Sequence, residues 1–150
     1  MDGPRVSARA LIIRDQTVLV STYVDERGVW HVLPGGGQRR GETLHENLVR
    51  EIREETSLDV EIGRLRWVRE FISSRHPESL LDPSFHQVEL TFECTITPGA
   101  EAYLGTEPDP GQTGLDWLPM DSLTSVRFYP QTVASILANR MDDAVYLGDA

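Results

Sequence analysis

Apolar and polar positions alternate with a period of two along most of the chain and switch to a helical period in two places. The runs Val6 to Ile13 and Thr17 to Val24 are rich in β-branched residues and meet at Arg14-Asp15-Gln16. That pattern predicts two strands joined in a hairpin or tight meander. Gly28 to Leu33 predicts a third strand, ending at Pro34. From Thr43 to about Thr56 the period becomes helical, with Leu48, Val49 and Ile52 as an apolar stripe. Thr43 stands three residues before Glu46, the spacing of a capping box.

Leu58 to Ile72 returns to alternation: Leu58, Val60 and Ile62 share a face, Gly63 suits a bulge, and Leu65 with Trp67 resume the pattern. Phe85 to Thr97 predicts a strand with Val88, Leu90, Phe92 and Cys94 on its apolar face and Gln87, Glu89, Thr91 and Glu93 on a solvated one. Ser73 to Ser84, carrying Pro77 and Pro83, reads as a loop suited to a lid or rim, and Pro98 to Gly114 as a second loop rich in Gly and Pro. A short strand over Leu115 to Leu118 and a helix from about Tyr129 to Asn139 complete the order. Strands before and after helices in this arrangement predict an α/β fold, an α/β/α sandwich on a mixed β-sheet.

Composition narrows the partners. With 150 residues and 39% hydrophobic content, one globular domain over 1–150 is expected. Its 24 acidic residues against 14 Lys and Arg leave a net charge of −10, which argues against a nucleic acid polymer or an anionic membrane as partner. A negatively charged substrate would need cations to approach. No stretch approaches the roughly 20 apolar residues of a spanning helix, and Met-Asp-Gly-Pro-Arg lacks the layout of a signal peptide. With Cys94 as the one cysteine, a cytoplasmic protein is expected. A homodimer is expected only because two-fold dimers are the commonest assembly.

The chemistry concentrates on the first helix. Glu51, Glu54 and Glu55 fall within an arc of about 100°, one helical turn tall. Such like charges repel by a few tenths of a kcal/mol per pair unless a cation lies between them, and Mg²⁺ or Mn²⁺ suits oxygen ligands. The plainer alternative is a solvated face laced by Glu46–Arg50 and Arg50–Glu54 pairs. Against it stands Leu33-Pro34-Gly35-Gly36-Gly37, whose backbone can approach a ligand closely just before a helix start, where phosphate oxygens are readily held. Gly36, Gly37 and Arg39 are therefore candidate substrate contacts. Tyr23, Trp30, Trp67 and Phe85 are suited to stacking on a base or to the core.

The order Gly36, five residues, Glu42, seven residues, Arg50-Glu51-Ile52, one residue, Glu54-Glu55 resembles the signature of the Nudix hydrolases, metal-dependent enzymes that cleave nucleoside diphosphates linked to another moiety. Ser57 departs from it, standing where the family usually has a glycine suited to a left-handed cap. The resemblance implies the same sandwich fold, metal ligation by Glu51, Glu54, Glu55 and the Gly36 carbonyl, and an Arg50–Glu42 pair holding loop to helix. It further implies hydrolysis of a phosphoanhydride bond with Mg²⁺ or Mn²⁺. For the general base the preference is Glu54, then Glu107 or Asp109 in the second loop, then Glu89. Position 72 is isoleucine where relatives preferring ADP-ribose often have proline, and Ser73, Ser74 and Arg75 stand where those acting on dinucleoside polyphosphates often have tyrosine. A nucleoside triphosphate, a nucleotide sugar or a damaged nucleotide stays open. So does a catalytically silent module that keeps the fold and holds a nucleotide.

Overall fold

In the computed structural model, which describes residues 2–105, 108–141 and 144–150, β1 (Arg5–Arg14) and β2 (Thr17–Asp25) are joined through Asp15 and Gln16. Both turn residues have left-handed backbone, at φ 51° and 61°, as a tight two-residue hairpin demands. The chain continues through β3 (Gly28–Val32), β4 (Gly35–Gly37), α1 (Leu44–Thr56), β5 (Val60–Ile72), β6 (His86–Ile96) and β7 (Gln112–Pro119). It closes with β8 (Phe128–Tyr129), α2 (Gln131–Asn139) and β9 (Tyr146–Asp149).

The strands form one mixed sheet in the order β8-β3-β2-β1-β6-β5-β9, with β4 on β1 and β7 on β2. β1 runs parallel to β6, β3 to β8 and β5 to β9; the other pairs are antiparallel. β1 and β2 pair only at Ile13↔Val18 and Arg14↔Thr17, after which each takes other partners and the sheet divides into two limbs.

Alternation along β1 and β2 distributes the core to both faces. Ala8, Ala10, Ile12 and Leu19 pack with Leu48 and Ile52 of α1, while Leu11, Val18 and Val20 pack with Val133, Ala134, Ile136 and Leu137 of α2. The expected α/β/α sandwich is thus present, one helix on each side. Full burial of Leu48 and Ile52 contributes roughly 1.5–3 kcal/mol each, which fixes α1 to the sheet.

α1 begins as its sequence predicts. The Glu46 amide donates to Thr43 Oγ1 at 3.1 Å and the Thr43 amide to Glu46 Oε2 at 2.9 Å. Glu46 is therefore engaged at the cap rather than paired with Arg50. At the other end Ser57 adopts φ 62° and its amide donates to the Arg53 carbonyl at 3.1 Å, so the left-handed cap is kept without glycine.

Three features differ from the pattern reading. Gly35–Gly37 is a strand rather than a free turn, paired with Ser7, Ala8 and Arg9 of β1. The polar face of β6 is interior, with Gln87, Glu89 and Thr91 all buried. β8 and β9, two and four residues long by their bounds, are too short to produce a period. The loop after β5 opens with a single 3-10 turn at Ser73–Arg75. Among the described residues no helix is long and apolar enough to cross a membrane.

Replacing Ser57, which is exposed, by glycine removes the left-handed penalty at the helix end, less the extra unfolded-state entropy of glycine. Ser57→Gly is expected to raise stability by about 0.5 kcal/mol and the thermal midpoint by about 1–2 °C in a melting experiment.

Candidate active site

The three glutamates of α1 are graded in depth by their angles about the helix. Taking Glu51 as the origin, Glu54 lies at about −60°, Glu55 at about +40° and the core residues Leu48 and Ile52 at about +60° and +100°. Side-chain exposure follows that order, 25% for Glu54 and 12% for Glu51, while Glu55 as a residue is 1% exposed. Glu54 therefore faces the mouth of the site and Glu55 its floor.

Asn47, one turn before Glu51, completes the stripe that faces β4. Its Nδ2 donates to the carbonyls of Gly36 at 3.2 Å and Gly37 at 3.1 Å, anchoring the glycine strand to α1. Gly36 is also paired with Ala8 of β1 in the sheet. A Cβ at position 36 would lie 2.5 Å from the Glu51 carboxyl carbon, so a larger residue there would displace that carboxylate.

Arg50 is the hub. It holds Glu42 through Nη2 at 2.6 Å and Nε at 3.1 Å, the Gly37 carbonyl through Nη2 at 3.0 Å, Glu51 at 2.9 Å and Glu54 at 3.3 Å. The expected pair with Glu42 is formed and is bidentate; its hydrogen bonds to Arg50 hold the Glu42 carboxyl at about 2. Arg39 lies 3.8 Å from Glu54 with its guanidinium largely exposed.

The loop after β6 supplies a further carboxylate. Its Tyr103 and Gly105 amides donate to the carbonyls of Thr56 at 3.1 Å and Glu55 at 2.9 Å, docking it on the end of α1. Gly105 is pressed so close that a Cβ would overlap the Glu54 carbonyl at 1.7 Å. Beyond that contact Asp109 turns inward, and one carboxylate oxygen from each of Glu51, Glu55 and Asp109 lies within 4.8 Å of the others. Glu54 is outside this group. Glu107 lies outside the described residues.

A second charged layer supports the floor from the β6 face. Glu89 accepts from Arg9 Nε at 3.1 Å, Arg69 Nε at 2.9 Å and Gln87 Nε2 at 3.2 Å. Burial alone would push its carboxyl up, but Arg69 and Arg9 outweigh that and hold it at about 2. Arg9 also donates to the carbonyls of Leu33 at 3.1 Å and Gly35 at 3.2 Å, and the Gly35 amide donates to Glu55 Oε2 at 3.1 Å. Glu89 is thus a buried brace for the glycine strand, and both its expected solvation and its candidacy as general base are corrected: a carboxylate shut away from solvent and held at about 2 is a poor proton acceptor.

The donor set suits a hard divalent cation. Glu55 Oε1 is buried without a hydrogen-bond partner. Burial, reinforced by Asp109 and opposed by Arg9, pushes the Glu55 carboxyl up to about 9, and burial also raises Glu51. Carboxyls so placed ionise at neutral pH when a cation joins them. Of the aromatic candidates, Trp67 is core at 1% exposed, and Tyr23 stacks on Trp30 at 4.5 Å between ring centroids.

Comparison with known proteins agrees with this architecture. A family model described as NUDIX domain matches residues 3–138. YjhB of Bacillus subtilis (strain 168), provisionally named an ADP-ribose pyrophosphatase, is 31% identical over 114 residues, 75% of this chain and 47% of that protein. The chain thus spans about half the length of that curated relative. A NUDIX hydrolase structure from Nitrosomonas europaea has a TM-score of 0.70 at 17% identity, covering 92% of this chain and 88% of that one. An ADP-ribose pyrophosphatase structure from Streptococcus suis has a TM-score of 0.64 at 22% identity, covering 98% and 100%. Both structural likenesses show a shared fold.

The Glu89 brace has a pH signature. Its folded value of about 2 lies below the ordinary 4.5, so its stabilisation is present above about pH 4.5 and is lost as pH falls toward 2. Glu89→Gln is expected to lower stability at pH 7 by about 3 kcal/mol, because it leaves two buried arginines uncompensated. Denaturant titrations from pH 6 to about pH 2 should also show a shallower acid decline for the variant than for the parent.

Proposed function

The chain belongs to the Nudix family, and from that premise we propose that it hydrolyses a phosphoanhydride bond of a nucleoside diphosphate linked to a second moiety, using Mg²⁺ or Mn²⁺. The observation that carries this is the convergence of Glu51, Glu55 and Asp109 around the unpartnered Glu55 Oε1. Those three carboxylates, with the Gly36 carbonyl, would hold the cation. When bound, such a cation supplies Lewis-acid stabilisation of charge developing on phosphoryl oxygens and makes water more acidic.

The chain's own residues divide the remaining work. Arg50 bridges Glu51 and Glu54 through one nitrogen and neutralises them from one side. Glu54, the most exposed of the three glutamates and outside the ligand group, is the preferred proton acceptor, with Asp109 next and Glu107 as a further acid of the same loop. Arg39 extends from the loop beside Glu54, where it would meet a phosphate, and Gly36 and Gly37, held against α1 by Asn47, are the further candidate contacts. A small nucleotide-type substrate fits this reading. In a chain of net charge −10, cations and these arginines provide the local attraction that the protein as a whole does not. The buried Cys94 thiol, pushed up to about 12 by desolvation, is inert, in keeping with a cytoplasmic protein.

A panel of ADP-ribose, nucleotide sugars and nucleoside triphosphates with Mg²⁺ tests the proposal, scored by the products released. Turnover of at least one compound is expected, with Glu54→Gln lowering kcat by about 100-fold, the scale of a lost general base. Unchanged kcat in that variant would move the role to the loop acids. Tight nucleotide binding without turnover on the whole panel would identify a silent binding module instead.

A further inference from the structure

Asp109 is the one member of the carboxylate group that does not come from α1, and it stands among charges that repel it. Two clasps oppose that repulsion. Its backbone is held by Gln112: the Gln112 amide donates to the Asp109 carbonyl at 3.0 Å, and the Asp109 amide donates to Gln112 Oε1 at 3.3 Å. Gln112 opposes Tyr23 across the β2–β7 ladder, at the point where its register shifts. Its side chain is held by Tyr23, whose hydroxyl donates to Asp109 Oδ2 at 3.0 Å.

Tyr23 is suited to that task. It is 7% exposed, and its ring lies parallel to Trp30, with centroids 4.5 Å apart and planes at 16°. Two χ angles and a stacked neighbour leave the phenol oxygen little freedom, so it marks a fixed point near the floor of the site. A phenol is protonated at neutral pH, so this hydroxyl is available as a donor.

We propose that Tyr23 is a positioning residue: by donating to one oxygen of Asp109 it turns the carboxylate toward Glu51 and Glu55, and so completes a cation site that α1 alone cannot build. This rests on the metal reading of those three acids. A loop acid would otherwise relieve the repulsion by rotating to solvent. Outer hydrogen-bond partners of ligands commonly change metal affinity by about 10–100-fold, so the expected effect lies well within measurement.

Mn²⁺ binding to the full chain, followed by calorimetry or by the loss of the free-ion electron paramagnetic resonance signal, provides the test. Tyr23→Phe keeps the ring on Trp30 and removes only the hydroxyl. It is expected to weaken Mn²⁺ binding by about tenfold with unchanged circular dichroism. Asp109→Asn should weaken binding at least as much, and adding Tyr23→Phe to it should have no further effect, because the hydroxyl acts through the carboxylate. Wild-type affinity in Tyr23→Phe would overturn the proposal and leave the metal reading intact. An equal tenfold loss from Tyr23→Phe in the Asp109→Asn background would overturn it too, by showing a structural effect unrelated to Asp109. A wild-type chain that binds no Mn²⁺ would overturn both readings together.

Discussion

Like charges confined in a poorly solvated space organise this molecule. Carboxylate oxygens of Glu51, Glu55 and Asp109 within 4.8 Å of one another are stable only if something opposes their repulsion. The opposition is arranged in layers around α1: Arg50 on the mouth side, Arg9 behind the glycine strand, and the Gly35 amide at the floor. The helix itself is held elsewhere, by Leu48 and Ile52 in the core and by the Thr43–Glu46 cap. Separating what fixes the helix from what the helix presents allows the charged face to be electrostatically unfavourable without loosening the fold.

The glycine strand is the hinge between those two tasks. β4 fits between β1 and α1 because Gly36 offers no side chain to Glu51, and the carbonyls it turns toward the helix are bonded by Asn47 and Arg50. Behind it, the Arg9–Glu89–Arg69 cluster has two positive charges to one negative, an interior excess of positive charge in an acidic protein. That excess lies beneath the carboxylates and partly offsets them through the intervening backbone. Substitutions in this buried layer therefore act on the site without touching anything bound there.

Much of this was legible in the sequence wherever the signal is local. The extent of α1, its capping box, the bulged β5 and the α/β/α sandwich follow from spacing and period, as does the closeness of Glu51 to Glu55, while the Arg50–Glu42 pair follows from the family resemblance. Which glutamate turns away is a matter of degrees about the helix relative to a sheet whose position spacing does not specify. Asn47 could have been noticed as a polar residue at a buried angle, one turn before Glu51. The depth of Glu89 could not, since its alternation with apolar neighbours is that of a half-exposed strand. Its burial comes from Arg9 and Arg69, 80 and 20 residues away in sequence. Asp109 enters the sequence reading only as a candidate base implied by the family resemblance; its place beside Glu51 and Glu55 is not legible, since an acid between two prolines reads as a turn and only the docking of its loop brings it there.

That docking also ties readiness for chemistry to a fragile part of the chain. The amides of Tyr103 and Gly105 satisfy two carbonyls that the end of any helix leaves without intrahelical partners. These bonds link residues about fifty positions apart, and among its described residues the loop adds no fully buried side chain of its own. By the usual ordering of local opening reactions, such a segment detaches at far lower free energy than the sheet. Warming or mild denaturant would then disarm the molecule while its sandwich stays whole, and the first casualty would be competence rather than shape.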